Sequence, residues 1–224
     1  EILRCLVGSE MCIRDSISGE GKDRRKVKGD YYLSEREEED LRYLAEMNKP
    51  VILILNAGGP VELTDILEQT DNIKGILNIS QLGQEGGDAL ADVLLGKEVP
   101  GGKLTTTWAR RYEDYPASEE YGYLNGNLEK EKYKEGIYVG YRYFDSFDKK
   151  VMFPFGFGLS YTMFEMMCCS INMEESKIRA EVQVTNTGNE YAGKEVVQIY
   201  VTLPQTELEL SLIHISEPTR HLRI

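Results

Sequence analysis

The chain has 224 residues, 38 of them acidic and 26 basic, for a formal net charge of −12 at pH 7. A surface this acidic disfavours nucleic acid and anionic membranes, because phosphate binding needs clustered lysine and arginine. No apolar run approaches the roughly 18 residues of a membrane span.

In chain order, the first and last segments come as a pair. Residues 5–16, CLVGSEMCIRDS, and residues 210–221, LSLIHISEPTRH, can be encoded by a single stretch of DNA read on opposite strands. We read them as translated sequencing-adapter sequence and exclude residues 1–16 and 210–224 from fold reasoning. Both histidines, His214 and His221, and two of the four cysteines, Cys5 and Cys12, fall there. The ends carry Arg4, Arg14, Arg220 and Arg223 against Glu1, Glu10, Asp15 and Glu217, so the acidic balance belongs to the remainder. Without histidine, neither a histidine-assisted nucleophile nor a histidine metal site can be built, and no metal or cofactor is expected. Cys168 and Cys169 are neighbours, which rarely bridge each other. They read as apolar residues or free thiols, which favours a reducing, cytoplasmic setting.

Residues 17–28 are rich in glycine and charge and read as a loop. Ser34, followed by Glu35, Glu37 and Glu38 and then Leu41, Leu44 and Met47, gives a capped helix with one buried face, ended by Pro50. Residues 51–55, VILIL, read as a strand covered on both faces. Residues 62–69 read as a short helix, 73–79 as a second strand, and 84–95 as a helix stopped by Gly96 with Leu90, Val93 and Leu94 on one face. This order predicts right-handed parallel β-α units, an α/β architecture with a parallel sheet. From Pro100 to Pro154 the chain makes a glycine-, proline- and tyrosine-rich excursion. The alternation of Tyr138, Tyr141 and Tyr143 fits an extended, packed segment, and Trp108 fits packing rather than a sugar platform. After Phe164, alternation at Ile178, Ala180, Val182 and Val184, an Asn-Thr-Gly turn, and alternation at Val197, Ile199 and Val201 predict the opening of a β-sandwich. The expected organisation is residues 17–164 as a partial α/β sandwich and 165–209 as a truncated second domain.

The chemistry concentrates in LGQEGGDALADVLLG at residues 82–96, followed by PGGKLTTTW. Three more blocks stand in compatible order: SGEGKDR at 18–24, EGIYVGYRYFD at 135–145 and FPFGFGLSYTMF at 153–164. Together they resemble glycoside hydrolase family 3 of the β-glucosidase type. Thr105 and Ala109 stand where prolines are usual, and Met163 where threonine is common, all outside the Gly-Gln-Glu turn. The resemblance implies a parallel α/β sandwich followed by a fibronectin type III-like domain. It also implies a retaining mechanism, with an aspartate nucleophile in an N-terminal barrel domain outside this chain and a glutamate acid/base from the sandwich.

Position for position, we match that glutamate to Glu85. It is expected just past the carboxyl end of a strand, where open α/β sheets bind ligands, with Gly83, Gly86 and Gly87 easing a sharp turn and close approach of a sugar. A helix N-terminus favours the ionised carboxylate, whereas a general acid must hold its proton. The barrel nucleophile, about 5–5.5 Å away in a retaining site, and desolvation would oppose the helix. Glu20 is a candidate for substrate binding, not for the acid/base role, either facing the sugar subsites or pairing with Arg24 or Arg25. Asp88 and Asp92 read as a solvated helix face.

The expected substrate is a terminal β-D-glucoside or an oligosaccharide. The alternatives are a β-xylosidase of the same family and a non-catalytic sugar- or partner-binding module. A nucleotide-binding reading lacks the Gly-x-Gly-x-x-Gly turn. With one of two carboxylates, the chain alone is expected to be inactive.

Overall fold

The structure is a computed structural model. It describes residues 6–7, 24–47, 49–119, 121, 134–174 and 177–200.

The helix predicted from Ser34 forms as α1 (Glu35–Glu46). The Ser34 hydroxyl accepts the Glu37 N–H at 3.3 Å, and the Glu37 carboxylate accepts the Ser34 N–H at 2.7 Å. This reciprocal capping box satisfies two of the orphan donors of the first turn. The other end is closed from a distance. The Asn72 carboxamide donates to the carbonyls of Ala45 and Met47, at 2.7 and 3.2 Å. Leu41 and Leu44 carry the buried face.

The strand read from VILIL forms as β2 (Val51–Leu55). It lies between β1 (Leu6–Val7) and β3 (Ile73–Asn78), parallel to both. Leu53 and Leu55 are completely buried, and each such side chain contributes about 1.5–3 kcal/mol of burial. Ile52 remains exposed, so the double covering expected for β2 stops short of one position. β1 falls in the segment we read as adapter; parallel pairing uses only main-chain groups, so a Leu-Val pair can occupy a sheet edge whatever its origin. α2 (Thr64–Gln69) links β2 to β3, and contributes the buried Ile66.

The described residues group into two compact units, 1–87 with 106–155, and 88–105 with 156–224. The first holds the parallel sheet, α1, α2 and most of the excursion. There Trp108 is buried and meets Phe153 edge-on at 5.9 Å, across the antiparallel pair β4 (Trp108–Ala109) and β5 (Val151–Phe153). The tyrosine block departs from expectation: residues 141–146 form a helix, α4 (Tyr141–Ser146), rather than an extended segment. Gly140, at φ 60°, turns the chain into it. Tyr141 stacks on Phe155, and Tyr138 and Tyr143 both meet Phe147.

The second unit takes in most of α3 (Gly86–Leu94) and the hairpin of β6 (Phe164–Glu174) with β7 (Lys177–Asn186). The strand expected over 178–184 is therefore real, but its partner is the stretch before it. Residues 197–200 are not a strand, and Val201 lies outside the described residues. The glycine-rich segment after α3 is bound into this unit by Leu104 N–H to Phe157 O and Gly156 N–H to Leu104 O, both 2.8 Å. Lys103 joins it through Glu195, 2.8 Å away with both side chains largely shielded. Among the described residues, no helix is long and apolar enough to cross a membrane.

Candidate active site

The parallel ladder between β2 and β3 ends with the Ile79 N–H on Leu55 O at 2.9 Å. Two residues further on, the Gln81 N–H is taken by the Asn56 side-chain oxygen at 3.1 Å. A side chain thus stands where continued pairing would require a backbone carbonyl, and the two chains part. Such a parting at the carboxyl end of parallel strands is where α/β sheets open a crevice.

Ser80 and Gln81 make the turn in left-handed conformation, at φ 49° and 55°. For residues with a Cβ this region is sparsely populated and costs about 1–3 kcal/mol each. The glycines expected to supply the turn do not carry the positive φ. Their part is steric. Gly86 N–H closes on Gly83 O at 2.9 Å, and a Cβ on Gly86 would overlap Leu82. Gly83 and Gly87 face open space, with nothing within 4 Å of where a Cβ would lie.

Glu85 is the last residue before α3, which begins two residues later than the sequence pattern placed its start. It is exposed, as are Gln84 before it and Asp88 after it. Leu90, Val93 and Leu94 are only half-covered, so the predicted apolar face of α3 is incompletely buried among the described residues. Asp92 pairs with Lys97 at 3.1 Å, in keeping with a solvated face.

Glu20 lies outside the described residues. Its proposed arginine partners are described, and both turn to Asp30, which sequence reasoning missed. The Arg24 Nε lies 3.5 Å from the almost fully buried Asp30 carboxylate, and the Arg25 N–H donates to it at 2.8 Å. The Arg24 guanidinium also donates to Pro60 O at 2.6 Å and to Asp30 O. Pro60 stands just beyond the carboxyl end of β2, so Arg24 is anchored at the same edge as Asn56. No local pattern announces Asp30; its partners lie five and six residues earlier, with no regular element to set the spacing.

Beside this edge is a cluster of tyrosines and charges. Tyr31 meets Tyr112 edge-on at 4.9 Å, and Lys26 lies over the Tyr112 ring. Lys26 pairs with Glu113, whose carboxyl it holds below the usual range. Burial pushes the Glu62 carboxyl up, opposed by the Tyr112 N–H and the Arg111 guanidinium. Burial also pushes the Tyr31 hydroxyl far up, keeping it neutral. Among the described residues no group of three or more His, Cys, Asp or Glu is placed to hold a metal ion.

The parallel sheet and the helix that follows its last strand make an α/β arrangement that opens at the carboxyl edge. The model of the glycosyl hydrolase family 3 C-terminal domain matches residues 6–141, and the chain belongs to that family. Its matched range opens on β1. The chain is 41% identical over 198 residues to β-glucosidase A of Butyrivibrio fibrisolvens, covering 80% of this chain and 23% of that protein. To thermostable β-glucosidase B of Acetivibrio thermocellus it is 38% identical over 193 residues, covering 84% and 24%. Among solved structures it is similar to β-glucosidase 3B of Thermotoga neapolitana in complex with glucose, with a TM-score of 0.75 and 40% identity over 92% of this chain and 27% of that one. The chain thus spans about a quarter of the length of these relatives.

Proposed function

We propose that the parent protein is a retaining β-glucosidase releasing terminal β-D-glucosyl residues, and that this chain supplies its general acid/base from the carboxyl edge of the sheet. The observation that carries the proposal is the Gly-Gln-Glu turn, which presents an exposed carboxylate, Glu85, directly after β3 in a chain whose relatives are named β-glucosidases. In the proposed cycle Glu85 protonates the leaving oxygen while an aspartate from a barrel domain outside this chain attacks the anomeric carbon. Glu85 then takes a proton from water as the glycosyl-enzyme is hydrolysed.

One observation favours a second assignment within the same mechanism. Glu85 stands exposed against the N-terminus of α3, where the helix dipole favours its ionised form. Glu20 precedes Arg24 by four residues, and four residues of extended chain span at most about 14 Å. The anchoring of Arg24 to Pro60 O therefore keeps Glu20 within reach of this edge.

The test uses the full-length parent with Glu85→Gln and Glu20→Gln, assayed on glucosides and xylosides, with good and poor leaving groups. For the acid/base residue, hydrolysis of poor leaving groups falls by about 10²–10⁴-fold, and azide rescues turnover of activated substrates. Undiminished activity of Glu85→Gln on both kinds of substrate sinks its assignment, and azide rescue confined to Glu20→Gln transfers the role. Faster turnover of xylosides replaces the glucosidase reading with a β-xylosidase. An intact upstream barrel without a nucleophile segment would favour the non-catalytic module. The chain alone is expected to hydrolyse aryl β-glucosides at background rate.

A further inference from the structure

We infer that Arg24 and Asp30 are positioning residues, a buried ion pair that pins the chain behind the Ser-Gly-Glu-Gly block to the carboxyl edge of the sheet and so fixes the point from which Glu20 is presented. The inference rests on the second assignment above, Glu20 as the acid/base residue.

Residues 24–33 form no helix, and their only pairing is a single bridge between Lys28 and Tyr32. Short bonds hold the stretch to itself, with Asp30 N–H on Val27 O and Tyr31 N–H on Arg25 O, both at 3.3 Å. Arg24 ties it to the sheet. Its guanidinium donates at 2.6 Å to Pro60 O, 36 residues further along the chain, and also to Asp30 O. The Arg24 Nε lies 3.5 Å from the Asp30 carboxylate, and the Tyr31 ring lies under the guanidinium at 5.7 Å. The Asp30 side chain is 2% exposed and takes the Arg25 N–H at 2.8 Å.

Stability alone is a weak reason for this arrangement, since well-packed apolar residues of similar volume often do as well as a buried ion pair or better. What the guanidinium supplies is direction, because its donors leave a planar fork at fixed angles. One arm holds the loop beyond β2 and the other holds Asp30, so two segments that no ladder joins are kept in one register. Glu20 stands four residues before Arg24, and a displacement of Arg24 is passed to it through that short length of chain. Misplacing a reacting group by about 1 Å can cost about 100-fold in rate, so the register has a catalytic consequence.

The experiment compares Arg24→Lys, Asp30→Asn, Glu20→Gln and the double variant of Glu20→Gln with Arg24→Lys, all in the full-length parent. Leu53→Ala, a core substitution in the same unit, serves as the structural control. Each is measured for its unfolding midpoint and for kcat/KM on a glucoside with a poor leaving group and on a dinitrophenyl glucoside, whose leaving group needs no proton. Arg24→Lys keeps the charge beside Asp30 but gives up the fork. It should lose at least about tenfold in kcat/KM on the poor leaving group and far less on the dinitrophenyl substrate. Asp30→Asn should show the same selective loss, and where it fails to fold, Arg24→Lys carries the test. In the double variant the lysine should add nothing to the loss from Glu20→Gln, because the anchor acts through that carboxyl. Leu53→Ala should lower the midpoint and change both substrates equally. An Arg24→Lys variant that keeps the parent's kcat/KM on both substrates, or loses equally on both, overturns the inference and leaves the Glu20 assignment standing. A further selective loss in the double variant does the same. Glu20→Gln without a selective loss removes the assignment itself, and the inference with it.

Discussion

β2 and the β6–β7 hairpin are both rich in apolar residues, yet their surroundings are opposite. In β2 four of five side chains are buried, with Leu53 and Leu55 fully so. In the hairpin, Met166, Ile171, Met173 and Ile178 are all exposed, Met173 by 81%. The register puts these on one face: Met166 lies opposite Val184, Cys168 opposite Val182, Ile171 opposite Ala180 and Met173 opposite Ile178. Glu165, Met167, Ser170 and Asn172 fall opposite Thr185, Gln183, Glu181 and Arg179 on the other face. The parallel strand is enclosed, in a unit that also buries Leu41 and Leu44 of α1 and Ile66 of α2. The hairpin has one apolar face and no second layer among the described residues, and two strands alone are marginal in water. Alternation thus records which way a strand wants to face, whereas a continuous apolar run records that it is already enclosed.

The largest expected effect separates the two regions directly. Leu53→Ala removes a fully buried side chain and should destabilise the first unit by about 2–5 kcal/mol. Met173→Ala in the hairpin should change stability by less than about 0.5 kcal/mol. Urea unfolding of both variants checks the pair, and equal costs would erase the distinction.

A smaller contrast lies within a single turn, between neighbouring glycines. Gly86→Ala must push Leu82 aside, an overpacking that should cost about 1–3 kcal/mol. Gly87→Ala enters open space inside α3 and should stabilise the helix by about 0.5–1 kcal/mol. Denaturation midpoints moving in opposite directions would support the reading that Gly86 is held by packing and Gly87 is not. Equal destabilisation would mean that both positions are sterically closed.

The extent to which this was legible in the sequence follows from how local each signal is. The Ser34 cap is written within four residues and the helix formed as read, with Glu37 completing a capping box that the reading had not named. Residues 51–55 needed only their own apolar character. Tyr141 and Tyr143 misled because tyrosine favours strands in general, while the helix they enter is set by Gly140 and by packing against Phe147 and Phe155. β6 went unread because its register shifts between Cys168 and Ser170, and a bulge breaks the period of two on which strand recognition depends. At the site, the place of Glu85 after β3 was legible, because the strand and the glycine turn are adjacent. The left-handed Ser80 and Gln81 were not, since neither residue type announces positive φ. Nor was the Arg24–Asp30 anchor, which depends on how a loop closes. The assignment to Glu20 lies outside the described residues.

The smallest expected effect probes the covered unit by pH. Burial raises the Glu62 carboxyl above its unfolded value, so between the two values the folded state holds a proton that the unfolded state has released. Its contribution to stability is therefore full below the unfolded value, about 4.3, and is lost as pH rises through the folded one. Glu113 works the other way: held down by Lys26, it contributes above the unfolded value and loses that contribution as pH falls through its lowered one. The two windows lie on opposite sides of the ordinary carboxylate value, so they can be separated. Glu62→Gln keeps an acceptor for the Tyr112 N–H but cannot ionise. Its stability should fall less than the parent's between about pH 4 and pH 6, whatever the offset from the lost Arg111 pairing. Urea midpoints at the two pH values measure that slope. Identical slopes would mean that Glu62 is as well solvated in the folded chain as in the unfolded one, and the covered unit would then be less dry at this edge than its core strand.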